Sequence, residues 1–255
     1  MQGLASLENK VIIVTGAAQG IGAAVVERAT SLGARVVAVD LNGEKLADST
    51  ARYGDKVLAQ VGDVADGDLV RSTVNEGVRH FGAIHGLVNN AGITRPAMIE
   101  KMSIEQWNQV VNVHLTGAFL WTQAVGKHMI ERYNNGDKTP GAIVNHSSIA
   151  GLKGSIGQIN YSASKAGIVG MTIVAARDLA SKGIRVNTIA PGIMDTPLLA
   201  RLREDVRKSL EATVPNPSRL GRPDEFGQLA TNILENGYIN GETIRPDGAI
   251  RMAPR

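Results

Sequence analysis

The chain has 255 residues, a length that fits one α/β domain burying roughly 70–75% of its unfolded surface. It is 43% hydrophobic and 20% charged, and its 27 Lys and Arg against 24 Asp and Glu leave a net charge of +3. The basic residues are spread along the chain, so no nucleic-acid partner is expected. The absence of cysteine excludes disulfides, thiolate metal sites and thiol catalysis, and no metal site is expected.

The N-terminal "MQGLASLENK" has neither the apolar core of a signal peptide nor an Arg-rich amphipathic pattern, and no apolar run reaches the length of a membrane span. No membrane partner is expected, and a cytoplasmic location is. Val11–Gly16, "VIIVTG", is a β-branched run closed by Gly, as in a strand buried on both faces. Helical spacing follows from Gly20 to Leu32 and stops at Gly33, and a second buried strand runs from Ala34 to Asp40. Further strands are predicted at Lys56–Val64, Ile84–Gly92, Gly141–Ser148, Ile184–Gly192 and Glu242–Gly248, with helical segments between most of them. Repeated β-α units predict an α/β fold, a single doubly wound parallel sheet with helices on both faces, spanning residues 1–255 as one domain. Between about 193 and 222 the pattern loosens into a polar excursion too long for an ordinary connection, expected to be a lid over a site.

Ligands of such sheets sit at the carboxyl ends of the strands. After the first strand, "TGAAQGIG" (Thr15–Gly22) places Gly16, Gly20 and Gly22 at a strand-to-helix turn, with Gln19 and Ile21 between them. Glycines there let backbone approach a pyrophosphate at a helix N-terminus; the same glycines would also serve a plain tight turn. Asp40, ending the second strand, is placed to accept from both hydroxyls of an adenosine ribose and to repel a 2′-phosphate, which favours NAD. Neither Gln19 nor Leu41 offers a cation to offset that repulsion. Asp63 could reach an adenine edge with help from the Val64 amide, or simply cap the next helix.

Tyr161 and Lys165 in "NYSASKAG" are four apart, hence neighbours on one face of a helix. A cation beside a phenol favours the phenolate, drawing its pKa down from roughly 10. Such a pair is either an acid–base device or an ordinary surface pair. His114 and His146 lie near these motifs but lack matched carboxylates in the sequence and are read as structural.

"TGAAQGIG", "NNAG" (Asn89–Gly92), "NVHLTG" (Asn112–Gly117), Ser147–Ser148, "YSASK" (Tyr161–Lys165) and Pro191–Gly192 together resemble the short-chain dehydrogenase/reductase superfamily over essentially the whole chain. The resemblance implies a Rossmann fold and hydride transfer to or from a nicotinamide. Tyr161 would exchange the carbinol proton, Lys165 would lower the Tyr pKa and bond the nicotinamide ribose, and Ser148 would hold the substrate oxygen. Asn112 would anchor a water in a proton relay. It further implies backbone contacts to the cofactor around Asn90 and Gly92, and a carboxamide-binding segment at Ile193, Met194 and Thr196.

From Gln158 onward, "YSASKAGIVGMT", "GIRVNTIAPG", "PSRLG" and "NGETIRPDGAIRM" are similar to the subgroup of NAD-dependent type II 3-hydroxyacyl-CoA dehydrogenases, which also act on steroid alcohols. This implies interconversion of a 3-hydroxyacyl-CoA and a 3-oxoacyl-CoA. The alternatives are a 3-oxoacyl-ACP reductase, a steroid or polyol dehydrogenase and, in another class, a non-catalytic NAD-binding sensor or scaffold. Candidate substrate contacts are Ser148, Ser155, Gln158 and Tyr161. The chain departs from the subgroup in lacking an insertion after "NNAG" and in having Ser155 where the subgroup has Gln. Arg201, Arg203, Arg207 and Lys208 could meet CoA phosphates, or form a solvated helix face with Glu204, Asp205 and Glu211. The family usually forms homotetramers.

Overall fold

Strand β1 (Val11–Thr15) sends alternate side chains to opposite faces of the sheet, and both faces are buried. Ile12 and Val14 join one apolar cluster while Val11 and Ile13 join another, so this one strand anchors both cores. The structure is a computed structural model and describes residues 6–197, 199 and 203–251. Six more strands run parallel to the first: β2 (Arg35–Asp40), β3 (Val57–Val61), β4 (Gly86–Asn89), β5 (Gly141–His146), β6 (Ile184–Ile189) and β7 (Thr243–Ile244), in the order β3-β2-β1-β4-β5-β6-β7.

Helices α1 (Gly20–Ser31) and α9 (Pro223–Glu235) cover one face, with Val25, Val26, Phe226, Ala230 and Ile233 packed on β1, β2 and β5. The other face is covered by α3 (Gly67–Phe81), α5 (Gly117–Asn134) and α7 (Ile159–Ala180), through Val70, Val74, Trp121, Val125, Met129 and Ala176. The remaining helices are α2 (Gly43–Thr50), α4 (Ile104–Val111), α6 (Ile149–Lys153) and α8 (Glu204–Ala212). The strand order reverses direction between β1 and β4, and the crevice there is where such sheets bind ligands. No helix among the described residues is long and apolar enough to cross a membrane.

Each predicted strand is present, and all but β2, which keeps its end at Asp40, are shorter at the carboxyl end. Gly16, Asn90–Gly92, Ser147–Ser148 and Ala190–Gly192 leave the ladder and form the loops around the crevice. The excursion after β6 contains α8 and is tied down at its start: Met194 pairs with Gly221, Asp195 N–H donates to Gly221 O (2.7 Å), and Asp195 forms an ion pair with Arg207 (2.6 Å).

Candidate active site

Close packing shapes the glycine turn after β1. A Cβ on Gly16, whose φ is +65°, would stand 2.8 Å from Ala91 Cα, and one on Gly22 would stand 1.9 Å from Gly16 O. Only glycines let the turn fold on itself and against the end of β4. Gly20 lies under Pro197 and Thr196, which brings the segment after β6 to the crevice. Ile21 packs against the core, while Gln19 precedes α1 without capping it, and no acid lies in the first turn. The α1 amides therefore present an uncapped positive end.

Asp40 ends β2 with its carboxylate fixed: Oδ2 accepts from Ala18 N–H and Oδ1 from Asn42 N–H, each at 3.0 Å. A carboxylate has further lone pairs free to accept two hydroxyls. Lys45 reaches Gln19 Oε1 at 3.2 Å, so a cation does stand at this turn, contributed by α2 rather than by Gln19 or Leu41. The glycine cradle, the open helix end and Asp40 together fit a dinucleotide.

Asn90 locks the turn rather than pointing away from it. Its Nδ2 donates to Thr15 O (3.0 Å) and Gly16 O (3.2 Å), and its Oδ1 meets His146 Nδ1 at 3.0 Å. Asp63 is exposed and closes a local turn by accepting from Ala65 N–H at 2.9 Å. The cap of α3 is Asp66, which accepts from the amides of Asp68 and Leu69, so the capping role considered for Asp63 belongs three residues later. Val64 is buried beneath α5.

At the other side of the crevice α7 carries Tyr161 and Lys165. Lys165 is only 2% exposed; its ammonium donates to His146 O and stands 5.6 Å from the Tyr161 ring centroid. Burial draws the Lys165 pKa down to about 7. The Tyr161 pKa is raised by burial, with the Ser148 hydroxyl acting in the opposite sense. Desolvation outweighs the Ser148 hydrogen bond, the lysine is not among the causes acting on the phenol, and the lysine is the group drawn toward neutrality. Ser148 precedes α6 and accepts from Ala150 N–H at 3.1 Å, whereas Ser147 is fully buried and donates to Lys165 O at 2.7 Å. Of the two serines, Ser148 faces the phenol.

Among the described residues the Asn112 side chain makes no hydrogen bond to this group. Asn112 begins a π-helical turn, Asn112–Thr116, in which Gly117 N–H donates to Asn112 O, and its side chain is exposed. The residue that meets the pair is His114, 3% exposed, its ring edge-on to Tyr161 with centroids 5.2 Å apart. A Cβ on Gly92 would stand 2.4 Å from His114 Cε1, so the glycine of "NNAG" makes room for the imidazole. Its spacing of four from buried Val110 is the sequence signal that could have found it.

Asn160 is a second residue not foreseen. Fully buried, it accepts Tyr161 N–H at 2.8 Å and donates to Arg95 O (3.1 Å) and Gln106 O (3.2 Å), anchoring the start of α7 to the loop after β4. Ser155 and Gln158 are half-buried in the turn before α7, where Gln158 N–H donates to Ser155 O. Ala97 N–H donates to Gly157 O at 2.9 Å, so this turn and the loop after β4 form one rim. Met98, Ile99, Ile104, Leu152, Ile156 and Ile159 are exposed along it.

Ile193 and Met194 line a cavity of about 350 Å³ together with Val214, Phe226, Arg245 and Asp247, while Thr196 sits over the glycine turn. On α8 the cations are already paired: Arg203 with Asp205, Arg207 with Asp195 and Glu211, and Lys208 with Glu204. Arg201 lies outside the described residues. This is the solvated helix face rather than a set of free phosphate ligands.

The sequence model of the family described as short chain dehydrogenase matches residues 10–207. A 3-oxoacyl-[acyl-carrier-protein] reductase of Thermotoga maritima is 41% identical over 250 residues, 96% of this chain and 98% of its own. A 3-hydroxyacyl-CoA dehydrogenase type-2 of Drosophila melanogaster is 40% identical over 97% of this chain and all of its own length. A solved structure of 3-hydroxyacyl-CoA dehydrogenase type-2 from Mycobacterium avium superposes with a TM-score of 0.89 at 36% identity, over 96% of this chain and 97% of that one.

Proposed function

Because the chain belongs to the short-chain dehydrogenase family, whose fold implies a nicotinamide cofactor, we propose that it is an NAD-dependent oxidoreductase interconverting a 3-hydroxyacyl and a 3-oxoacyl thioester, with the CoA ester as the leading substrate. The observation that carries this reading is the Tyr161–Lys165 pair with Ser148 beside it, at the start of the helix that follows the exposed apolar residues of the 98–104 and 152–159 rim. The relatives differ in carrier, but their names share a thioester oxidised or reduced at carbon 3, among them an acetoacetyl-CoA reductase of Acinetobacter. An apolar rim suits an acyl chain.

In the oxidative direction Ser148 holds the substrate oxygen and Tyr161 removes the hydroxyl proton while hydride leaves the same carbon. The nicotinamide supplies the hydride acceptor. Lys165, at about 7, populates both protonation states near neutrality and so can take up and pass on the proton that Tyr161 receives. Gly16, Gly20, Gly22 and the α1 amides would hold the pyrophosphate. Asp40 would accept from the adenosine ribose hydroxyls, and the preference for NAD rests on it. Backbone near Asn90 and Gly92, and the residues Asp63, Val64, Ile193, Met194 and Thr196, would complete the cofactor contacts. Asn112, with its side chain exposed, is not given a role.

Reduction of NAD and NADP with a panel of 3-hydroxyacyl-CoAs, 3-hydroxyacyl-ACPs, steroids and simple alcohols tests the reading. Turnover of NAD with the CoA esters is the expected result; a strong NADP preference or turnover confined to non-thioester alcohols would overturn it. Exposed Phe119 on α5 and Ile173 and Val174 on α7 support the homotetramer as the assembly. A monomer mass on a sizing column would contradict it.

A further inference from the structure

His146 ends β5 and touches both sides of the crevice at once. Its backbone oxygen accepts from the Lys165 ammonium, and its imidazole Nδ1 lies 3.0 Å from Asn90 Oδ1. Asn90 in turn holds the glycine turn. Its Nδ2 lies 3.0 Å from Thr15 O and 3.2 Å from Gly16 O, and its backbone N–H donates to Thr15 Oγ1 at 3.0 Å. The fit is close, since a Cβ on Gly22, in the first turn of α1, would stand 2.7 Å from Asn90 Nδ2. The His146 ring also packs against Phe226 of α9, with centroids 4.7 Å apart. One half-buried side chain thus joins the end of β5 to the loop after β4 and to α9.

The carbonyls assign the protons. Thr15 O and Gly16 O can only accept, so the Asn90 atom beside them is the amide nitrogen, and Oδ1 is the acceptor turned to His146. An N–H must therefore face that oxygen, which places the imidazole proton on Nδ1 and leaves Nε2 bare in the neutral ring. Burial draws the His146 pKa well below 6.5, so the neutral ring is the form present at pH 7. The partner of the imidazole is an amide, which explains why a search of the sequence for a matching carboxylate passes it over.

We propose that His146 is a positioning residue for the cofactor: from the strand that holds Lys165, its Nδ1–H fixes the Asn90 amide, which in turn keeps the Thr15 and Gly16 carbonyls off a bound diphosphate. A free carbonyl oxygen at that turn would oppose an anion, whereas a carbonyl engaged by an amide leaves the field to the α1 N–H groups. The far side of the turn is pinned independently, by Ala18 N–H on Asp40 Oδ2 at 3.0 Å. An apolar side chain at 146 would leave Asn90 Oδ1 without a donor, so the amide would lose its orientation and release both carbonyls.

The inference rests on the dehydrogenase reading, and the experiment separates the two. Binding and reduction of NAD by the wild type test the reading; variants at 146, compared by calorimetric titration with NAD, test the link. His146→Leu removes the donor, His146→Asn restores one at the Nδ1 position, and His146→Gln offers one at the Nε2 position. His146→Leu should raise the NAD dissociation constant by about 5- to 10-fold while kcat at saturating NAD falls less than about threefold. His146→Asn should recover most of the affinity, and His146→Gln should not. In an Asn90→Ala background, His146→Leu should change the dissociation constant by less than about twofold, because the link is already cut. Unchanged affinity in His146→Leu, additive effects of the two substitutions, or His146→Asn binding as weakly as His146→Leu overturns the proposal. So does a series in which affinity only follows melting temperature. If His146→Leu does not fold, the unaltered protein decides. Nitrogen-15 spectra of the histidine-labelled wild type should show His146 protonated at Nδ1 and bare at Nε2, and the opposite tautomer overturns the proposal.

Discussion

The two sides of the crevice are built by opposite means. On the nucleotide side, β1, α1 and β2 offer backbone: glycines without room for a Cβ, uncapped amides, and a single carboxylate oriented by two amide donors. On the catalytic side, β5 and α7 offer side chains taken out of water, with Lys165, Tyr161, His114 and His146 all displaced in pKa by burial. The first kind of surface recognises a ligand by shape and fixed dipoles. The second stores electrostatic free energy in ionisable groups, and it should be the side that a point substitution or a pH change disturbs most.

The sharpest separation is Tyr161→Phe. Loss of the phenol oxygen should lower kcat by on the order of 1,000-fold while NAD affinity stays within about threefold. Stopped turnover with NAD binding intact, measured by titration of cofactor fluorescence, keeps the two sides distinct; a parallel loss of binding would merge them.

Acid should act on the catalytic side next. His114 and His146 are held neutral with folded pKa values below the ordinary 6.5, His114 at about 3. The unfolded chain therefore binds more protons than the native one below pH 6.5, and stability is lost as the pH falls through that window. Between pH 6.5 and 5 the fully buried His114 imidazole removes up to about 2 kcal/mol, and the half-buried His146 acts in the same sense. His85, drawn down to about 4 at the start of β4, adds in the same sense, discounted for its partial exposure. Urea midpoints at pH 7 and pH 5 check it, and equal midpoints would show that these groups do not govern acid stability.

Asp40→Ser probes the nucleotide side. It removes the carboxylate that a 2′-phosphate would meet and leaves Lys45 at Gln19, so the ratio of kcat/KM for NAD over NADP should fall by about 10- to 100-fold. No shift in the ratio would mean that the carboxylate does not read the ribose. The smallest effect belongs to Asn112→Ala, for which kcat should stay within about twofold and the pH–rate profile should not move, since that side chain is exposed and makes no hydrogen bond to the pair. A large loss would return Asn112 to the site.

Much of this was legible because it is written in short-range pattern. Alternating β-branched runs ending in glycine placed the strands, and the parallel sheet followed from their alternation with helices. Tyr161 and Lys165 were readable because a helix makes i and i+4 neighbours. The nucleotide side was the more legible of the two, since a glycine turn and an acid at a strand end lie within one β-α-β unit. The proton-handling side was less legible. The π-helical turn at 112–116 alters the order of side chains around the helix and sets His114 against Tyr161, a contact the regular helical spacing does not record. The pKa balance of the pair was set by burial, which spacing does not record.

The sequence by itself determined the fold class and the crevice at the strand ends, because strand and helix periodicity and glycine turns are local properties of the chain, while its candidate residues for hydride transfer came from the resemblance of its motifs to a family. Only the tertiary structure decided which groups stand together behind the phenol. Asn89, His114, Trp121 and Lys165 come from four separate elements, and what joins them is the desolvated space they share, a quantity that exists only once the sheet and its helices have packed.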